Sequence, residues 1–142
     1  MTVEMYLKQA FTIDKLIKAK EIRIKDLRDK MAYVSPVLSH DKVQSSTHHD
    51  SMSEYVSLIT ELEAECQRDI VRLISVQKEI EALINQLECV VMRLIMYYRY
   101  VVLIDWDDIP SHVNYSHRHT HRLHGKALHV LKEIFKDGTK CH

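Results

Sequence analysis

Glycine and proline are scarce in this 142-residue chain, two of each. That is too little turn chemistry for a many-stranded barrel or sandwich, and a mostly helical chain is favoured. A glycine-rich phosphate loop is excluded on the same ground. Cysteine is sparse as well: Cys66, Cys89 and Cys141 stand far apart, with no Cys-x-x-Cys. Such an odd, scattered set reads as free thiols in a reducing cytosol, with Cys66 and Cys89 as small core hydrophobes. Long apolar runs are missing too. The densest stretch, Cys89 to Ile104, is interrupted by Arg93 and Arg99 and falls short of the roughly 20 apolar residues of a membrane span. No short apolar signal region opens the chain, so the expectation is a cytoplasmic protein with no membrane contact. Charge of either sign is not in excess, because 20 Lys+Arg balance 20 Asp+Glu. With 28% charged and 46% hydrophobic residues, wholesale disorder is excluded.

What the chain does have is helical periodicity. From about Thr2 to Val34, apolar residues recur at Tyr6, Ala10, Ile13, Ile17, Ile24, Leu27, Met31 and Val34. These are steps of three or four with one gap at Lys20, close to a coiled-coil seam. Ser35-Pro36 is expected to end this helix, because the residue before proline avoids the helical region. Residues 35–51, rich in Ser, Thr, His and Asp, read as a linker. A second long helix is expected from about Met52 to Glu88, with the seam Met52, Tyr55, Ile59, Leu62, Cys66, Ile70, Leu73, Val76, Ile80, Leu83 and Leu87. Each helix needs a surface for its apolar stripe, so the two are expected to form an antiparallel hairpin that also serves self-association. Residues 1–88 would form this region.

Residues 89–142 differ in texture. A short helix (Cys89 to about Leu103) leads to Asp105-Trp106-Asp107-Asp108-Ile109, then to a histidine-rich basic helix from Ser116 to about Phe135, with Gly138 as its stop. The zero net charge also divides unevenly. Residues 1–34 carry eight bases against five acids, residues 35–104 six against ten, residues 105–110 three acids alone, and residues 111–142 six bases against two acids. Seven of the ten histidines share that last segment. A concentrated cationic helix is the electrostatic footprint of a DNA-reading element.

The residues around that helix follow a helix-turn-helix plan. Trp106, Ile109 and Val113 lie at spacings three and four, one face of a short helix. Asn114-Tyr115 follows, and Asn tolerates the left-handed conformation of a sharp turn. Ser116 stands where an N-cap belongs. Thr120, Leu123, Ala127, Leu128 and Leu131 form the inward stripe of the second helix, and His117, Arg118, His121, Arg122 and Lys126 the outward side. In this plan the second helix enters the major groove and its first residues meet base edges. Arg118 and Arg122 would reach guanine or phosphate, and Lys126, Lys132 and Lys136 the backbone.

At Trp106-Asp107-Asp108-Ile109, Asn114-Tyr115-Ser116 and Arg122-Leu123-His124-Gly125-Lys126-Ala127-Leu128 the chain resembles region four of sigma-70 type factors. It is still more similar to small phage transcriptional regulators of the ArpU and RinA type. The run Asp41-Lys42-Val43-Gln44-Ser45-Ser46 is similar to a linker motif of those proteins. The resemblance implies a DNA-binding activator of phage genes, late ones above all, acting on double-stranded DNA in the bacterial host cytoplasm, with host RNA polymerase as a candidate partner. The DNA-binding set would be Ser116, His117, Arg118, His121, Arg122 and Lys126. Pro110 departs from the motif, which usually carries a small residue after Ile109. Because proline suits only a helix's first turn, the first helix of the motif is expected to be shortened or shifted.

Other chemistries fit less well. His117, His121 and His124 could bring two imidazoles to a zinc ion, but no nearby Cys or acid completes a tetrahedral set unless Cys141 and His142 fold back, and no metal or other cofactor is expected. Tyr97, Tyr98 and Tyr100 beside Arg99 could touch nucleic acid, though burial explains at least some of them. Ser45, Ser46 and Thr47 beside His48 and His49 are adjacent only in sequence and make no oriented relay, so no enzyme is expected. The fold expected is all-α, a long coiled-coil-like antiparallel hairpin followed by a C-terminal helix-turn-helix domain. The function expected is transcription regulation, working as a homo-oligomer. The alternative is a phage assembly or packaging subunit whose hairpin is the working part.

Overall fold

The computed structural model describes the backbone of residues 1–40 and 45–140, with side chains for 1–33 and 51–138. The described residues form five helices: α1 (Val3–His40), α2 (Ser45–Ile84), α3 (Val90–Tyr100), α4 (Ile109–Val113) and α5 (His117–Lys140). No strand occurs among the described residues, so the all-α class is correct. The described chain divides into two compact units, one of Met1–Thr12 with Leu73–His142, the other Ile13–Arg72.

In the Ile13–Arg72 unit, Ile24 and Leu27 of α1 bury against Ile59, Leu62 and Cys66 of α2. Two ion pairs set the direction. Lys20 reaches Asp69 at 2.6 Å and Glu65 at 3.3 Å, and Arg28 pairs with Glu63. Advancing along α1 means retreating along α2, so the helices are antiparallel. The gap at Lys20 in the apolar repeat is therefore occupied by a polar link across the seam. Its ammonium is held above the ordinary lysine range, first by the hydrogen bond to Asp69 and further by Glu65. Ile70, placed on the expected seam, is instead 40% exposed, and Asp69 takes the position facing Lys20.

In the other unit, Val3, Leu7 and Ala10 of α1 pack with Ile80, Leu83, Ile84 and Leu87, with Met96 and Tyr100 of α3, and with Ala127 and Leu131 of α5. A second cluster of Ile95, Ile109 and Val113, flanked by Trp106 and Leu123, joins α3, α4 and α5. Helix α5 thus has two apolar anchors behind it.

Several boundaries differ from the sequence reading. Helix α1 continues past Ser35-Pro36 to His40, and α2 begins at Ser45. Of the expected linker 35–51, residues 41–44 lie outside the described residues, and with them most of the Asp41–Ser46 motif. Proline lacks an N–H and its predecessor is biased away from the helix, but this is a preference that a long helix overrides at the loss of one ladder bond. Helix α3 ends at Tyr100 rather than Leu103, with Val101 as its C-cap, and Leu103 beyond it has a left-handed φ of 66°. Gly138 does not stop α5, which runs to Lys140. A glycine C-cap needs positive φ, and no glycine here has one. Cys66 is buried as expected, whereas Cys89 is exposed. It precedes α3 as its N-cap residue, off the face that packs.

Candidate nucleic-acid interface

The segment before α5 is built by short-range geometry. Residues 106–108 form a turn whose Asp108 N–H donates to Asp105 O at 3.0 Å. Helix α4 then starts at Ile109, with Pro110 in its first turn, the place where a missing N–H costs nothing. The expected shortening at Pro110 is thus realised: Trp106 lies ahead of α4 rather than on it. Asn114 closes α4 in the left-handed region, at φ 59° and ψ 39°, and Tyr115 N–H donates to Pro110 O at 3.2 Å. Ser116 caps α5, its Oγ accepting from His119 N–H at 3.2 Å. The Thr120 hydroxyl, fully buried, donates to Ser116 O at 2.8 Å.

The faces of α5 separate cleanly. Thr120, Ala127 and Leu131 are buried and Leu123 and Leu128 half-buried, while Ser116, His117, Arg118, His121, Arg122 and Lys126 are all exposed. Arg118 and Arg122 follow one another by a turn, as do Arg122 and Lys126. Arg122 Nη2 donates to His119 Nδ1 at 3.0 Å, which holds the guanidinium against the helix near its first turn. Lys136, placed at the far end as a backbone contact, lies 3.5 Å from Glu133.

His124 and its neighbours are turned inward. Tyr100 shares a 2.8 Å hydrogen bond with His124. The Trp106 ring meets His124 edge-on at 4.4 Å and His121 at 4.7 Å. Arg99 lies 4.3 Å over Phe11 and 5.1 Å over Trp106 and donates to Ile104 O at 3.2 Å. Burial, reinforced by the charges of His121, Arg99 and Lys8, pulls the His124 pKa down to about 4. A neutral His124 bound to Tyr100 is a structural group. Among the described residues no three His, Cys, Asp or Glu side chains gather around a point that could hold a metal, and Cys141 and His142 lie outside them. Of the three tyrosines, Tyr100 is buried and Tyr98, half-buried, meets His112 at 5.0 Å, while Tyr97 remains at the surface.

Two neighbours of the interface were not read from the sequence. Tyr115 meets His119 edge-on at 4.8 Å, and His119 then takes the Arg122 hydrogen bond. The spacing of three from Ser116 to His119 and from His119 to Arg122 was the available signal. The chemistry on offer is therefore a row of cationic donors on a helix that is capped at its start and backed by a packed core. No helix of the described residues is long and apolar enough to cross a membrane.

The profile of a family described as a protein of unknown function (DUF1492) matches residues 32–132 of the chain. No curated protein and no solved structure matches.

Proposed function

The chain belongs to the DUF1492 family, and we propose that it is a sequence-specific DNA-binding regulator of transcription. The observation that carries this reading is the exposed α5 face of His117, Arg118, His121, Arg122 and Lys126, opened by the Ser116 cap after a left-handed turn at Asn114. Helices α3 and α4 support α5 from behind through Ile95, Ile109, Val113 and Leu123, as a helix that enters the major groove requires. Arg118 and Arg122 reach base edges or phosphates, Lys126 and Lys132 neutralise phosphates, and double-stranded DNA is the ligand. By resemblance the chain activates phage genes in the host cytoplasm, with host RNA polymerase as a further partner. Self-association, giving paired half-sites, uses exposed apolar side chains of α2 such as Ile70 and Val71.

Those same side chains favour the second reading, an assembly or packaging subunit that forms rings through its hairpin. The deciding experiment is selection of binding sites from a random duplex pool, followed by reporter transcription from a promoter carrying the enriched site. Enrichment of one sequence, with affinity falling steeply as salt rises and with a change in reporter output, supports the regulator. A chain that enriches no sequence and sediments as a ring supports the assembly subunit and overturns the first reading.

A further inference from the structure

Helix α5 contains a glycine, Gly125, near the middle of its length. Glycine is the least favourable helical residue after proline, since it has the most backbone freedom to lose. Nothing among the described residues asks for it. Its φ is not positive, and a Cβ built on it would meet nothing within 4 Å. Neither a turn nor close internal packing accounts for the missing side chain.

Its position on the surface does. Arg118, Arg122, Gly125, His129 and Lys132 follow one another at steps of four, three, four and three, the helical repeat, and all five are exposed. They form one ridge in which every member but the central one ends in a cationic or imidazole group. The ridge is therefore notched at its centre, with Arg122 a turn before the notch and His129 a turn after it. An anion on a narrow strand, flanked by donors on both sides, is what such a notch accommodates.

We propose that Gly125 seats one phosphodiester group of the DNA backbone against the main chain of α5, between Arg122 and His129. This rests on the DNA reading above and adds the point of closest approach. The N–H groups at mid-helix are already engaged in the helix ladder, so the glycine supplies room, and the hydrogen bonds come from His129 and from Arg122 once its guanidinium leaves His119. A Cβ at position 125 holds the strand off the helix and lengthens the contacts from Arg122 and His129 together.

The other glycine of α5 provides the control. Gly138 also meets nothing within 4 Å, but it follows Arg118 by about five and a half turns and so lies off the ridge. Titrations of the full chain would use the duplex it enriches from a random pool and an unrelated duplex, each at two salt concentrations. Gly125→Ala is expected to raise the melting temperature by about 2–5 °C while weakening binding to both duplexes about tenfold. Gly125→Val weakens it further, and Gly138→Ala stabilises without changing binding. Because a phosphate contact is independent of sequence, the slope of log affinity against log salt should become shallower by about one in Gly125→Ala. Undiminished binding by Gly125→Ala overturns the proposal, and so does a loss confined to the enriched duplex, which would put a base edge at the notch. A wild-type chain that binds neither duplex ends the DNA reading and this inference with it, an outcome distinct from wild-type binding that Gly125→Ala matches.

Discussion

The hydroxyl of Tyr100 and Nε2 of His124 share a 2.8 Å hydrogen bond, and their rings stack with centroids 5.8 Å apart. This contact ties α3 to the inner side of α5 and gives the fold a dependence on pH. His124 has a pKa of about 4 in the folded chain, lowered first by burial and then by His121, Arg99 and Lys8, against about 6.5 when unfolded. Between these values the unfolded chain binds a proton that the folded chain refuses. Stability from this site is therefore complete above pH 6.5 and is lost as the pH falls towards 4. The expected loss is about 2 kcal/mol, after allowing for solvent screening at a half-buried site. Urea denaturation of the wild type and of His124→Gln at pH 7.5 and 5 checks it. The variant should be the less stable of the two at pH 7.5 and lose less on acidification; parallel pH profiles would refute the assignment.

Arg118→Ala and Arg122→Ala should each weaken binding to the enriched duplex by about 1–3 kcal/mol if the contact is bidentate to a base. Lys126→Ala should weaken enriched and unrelated duplexes alike and make the salt dependence shallower. Gel-shift titrations of the three variants separate these behaviours. Equal losses on all sequences for Arg118→Ala and Arg122→Ala would assign both arginines to phosphates.

Ser116→Ala removes the acceptor for His119 N–H at the start of α5, and an N-cap of this kind is worth about 1 kcal/mol. Ser116→Asp keeps an acceptor beside the positive end of the helix dipole and should restore the melting temperature. Its added negative charge faces the proposed DNA, so affinity should fall although stability recovers. Thermal unfolding and DNA titration of the two variants, side by side, test the double role.

The described cysteines should differ sharply in reactivity. Cys89 is exposed, whereas Cys66 is packed between α1 and α2 and burial raises its thiol pKa. Since the thiolate is the reactive form, a maleimide reagent at pH 7 should modify Cys89 within minutes and Cys66 only when the hairpin opens. Peptide mapping of a labelling time course reads the two sites, and equal rates would contradict the packing at Cys66.

Much of the candidate interface was legible in the sequence, because it is set by residues close together in the chain. Ser116 as cap, Asn114 as left-handed turn, the shortening of the motif's first helix at Pro110 and the division of α5 into two faces all follow from local dihedral preference and a 3.6-residue repeat. The antiparallel hairpin was legible for the same reason, since the two apolar stripes require each other. The gap at Lys20 was visible but its meaning was not. Nothing near Lys20 in sequence names Asp69 as its partner, 49 positions away.

What the sequence determined by itself, then, is an all-α chain, most of the apolar seams of its long helices and the cationic outer face of α5, all properties of periodicity and local propensity. The tertiary structure decided the matters that depend on distant neighbours. It turned His124 inward to Tyr100 and Trp106 while leaving Arg118 and Arg122 outside, exposed Cys89 while burying Cys66, and carried α1 past Pro36. A side chain's pKa and burial depend on what surrounds it, and His124 packs against Tyr100 of α3 and Trp106 of the turn while also feeling the charge of Lys8 on α1. Composition and spacing do not encode that encounter; the folded chain does.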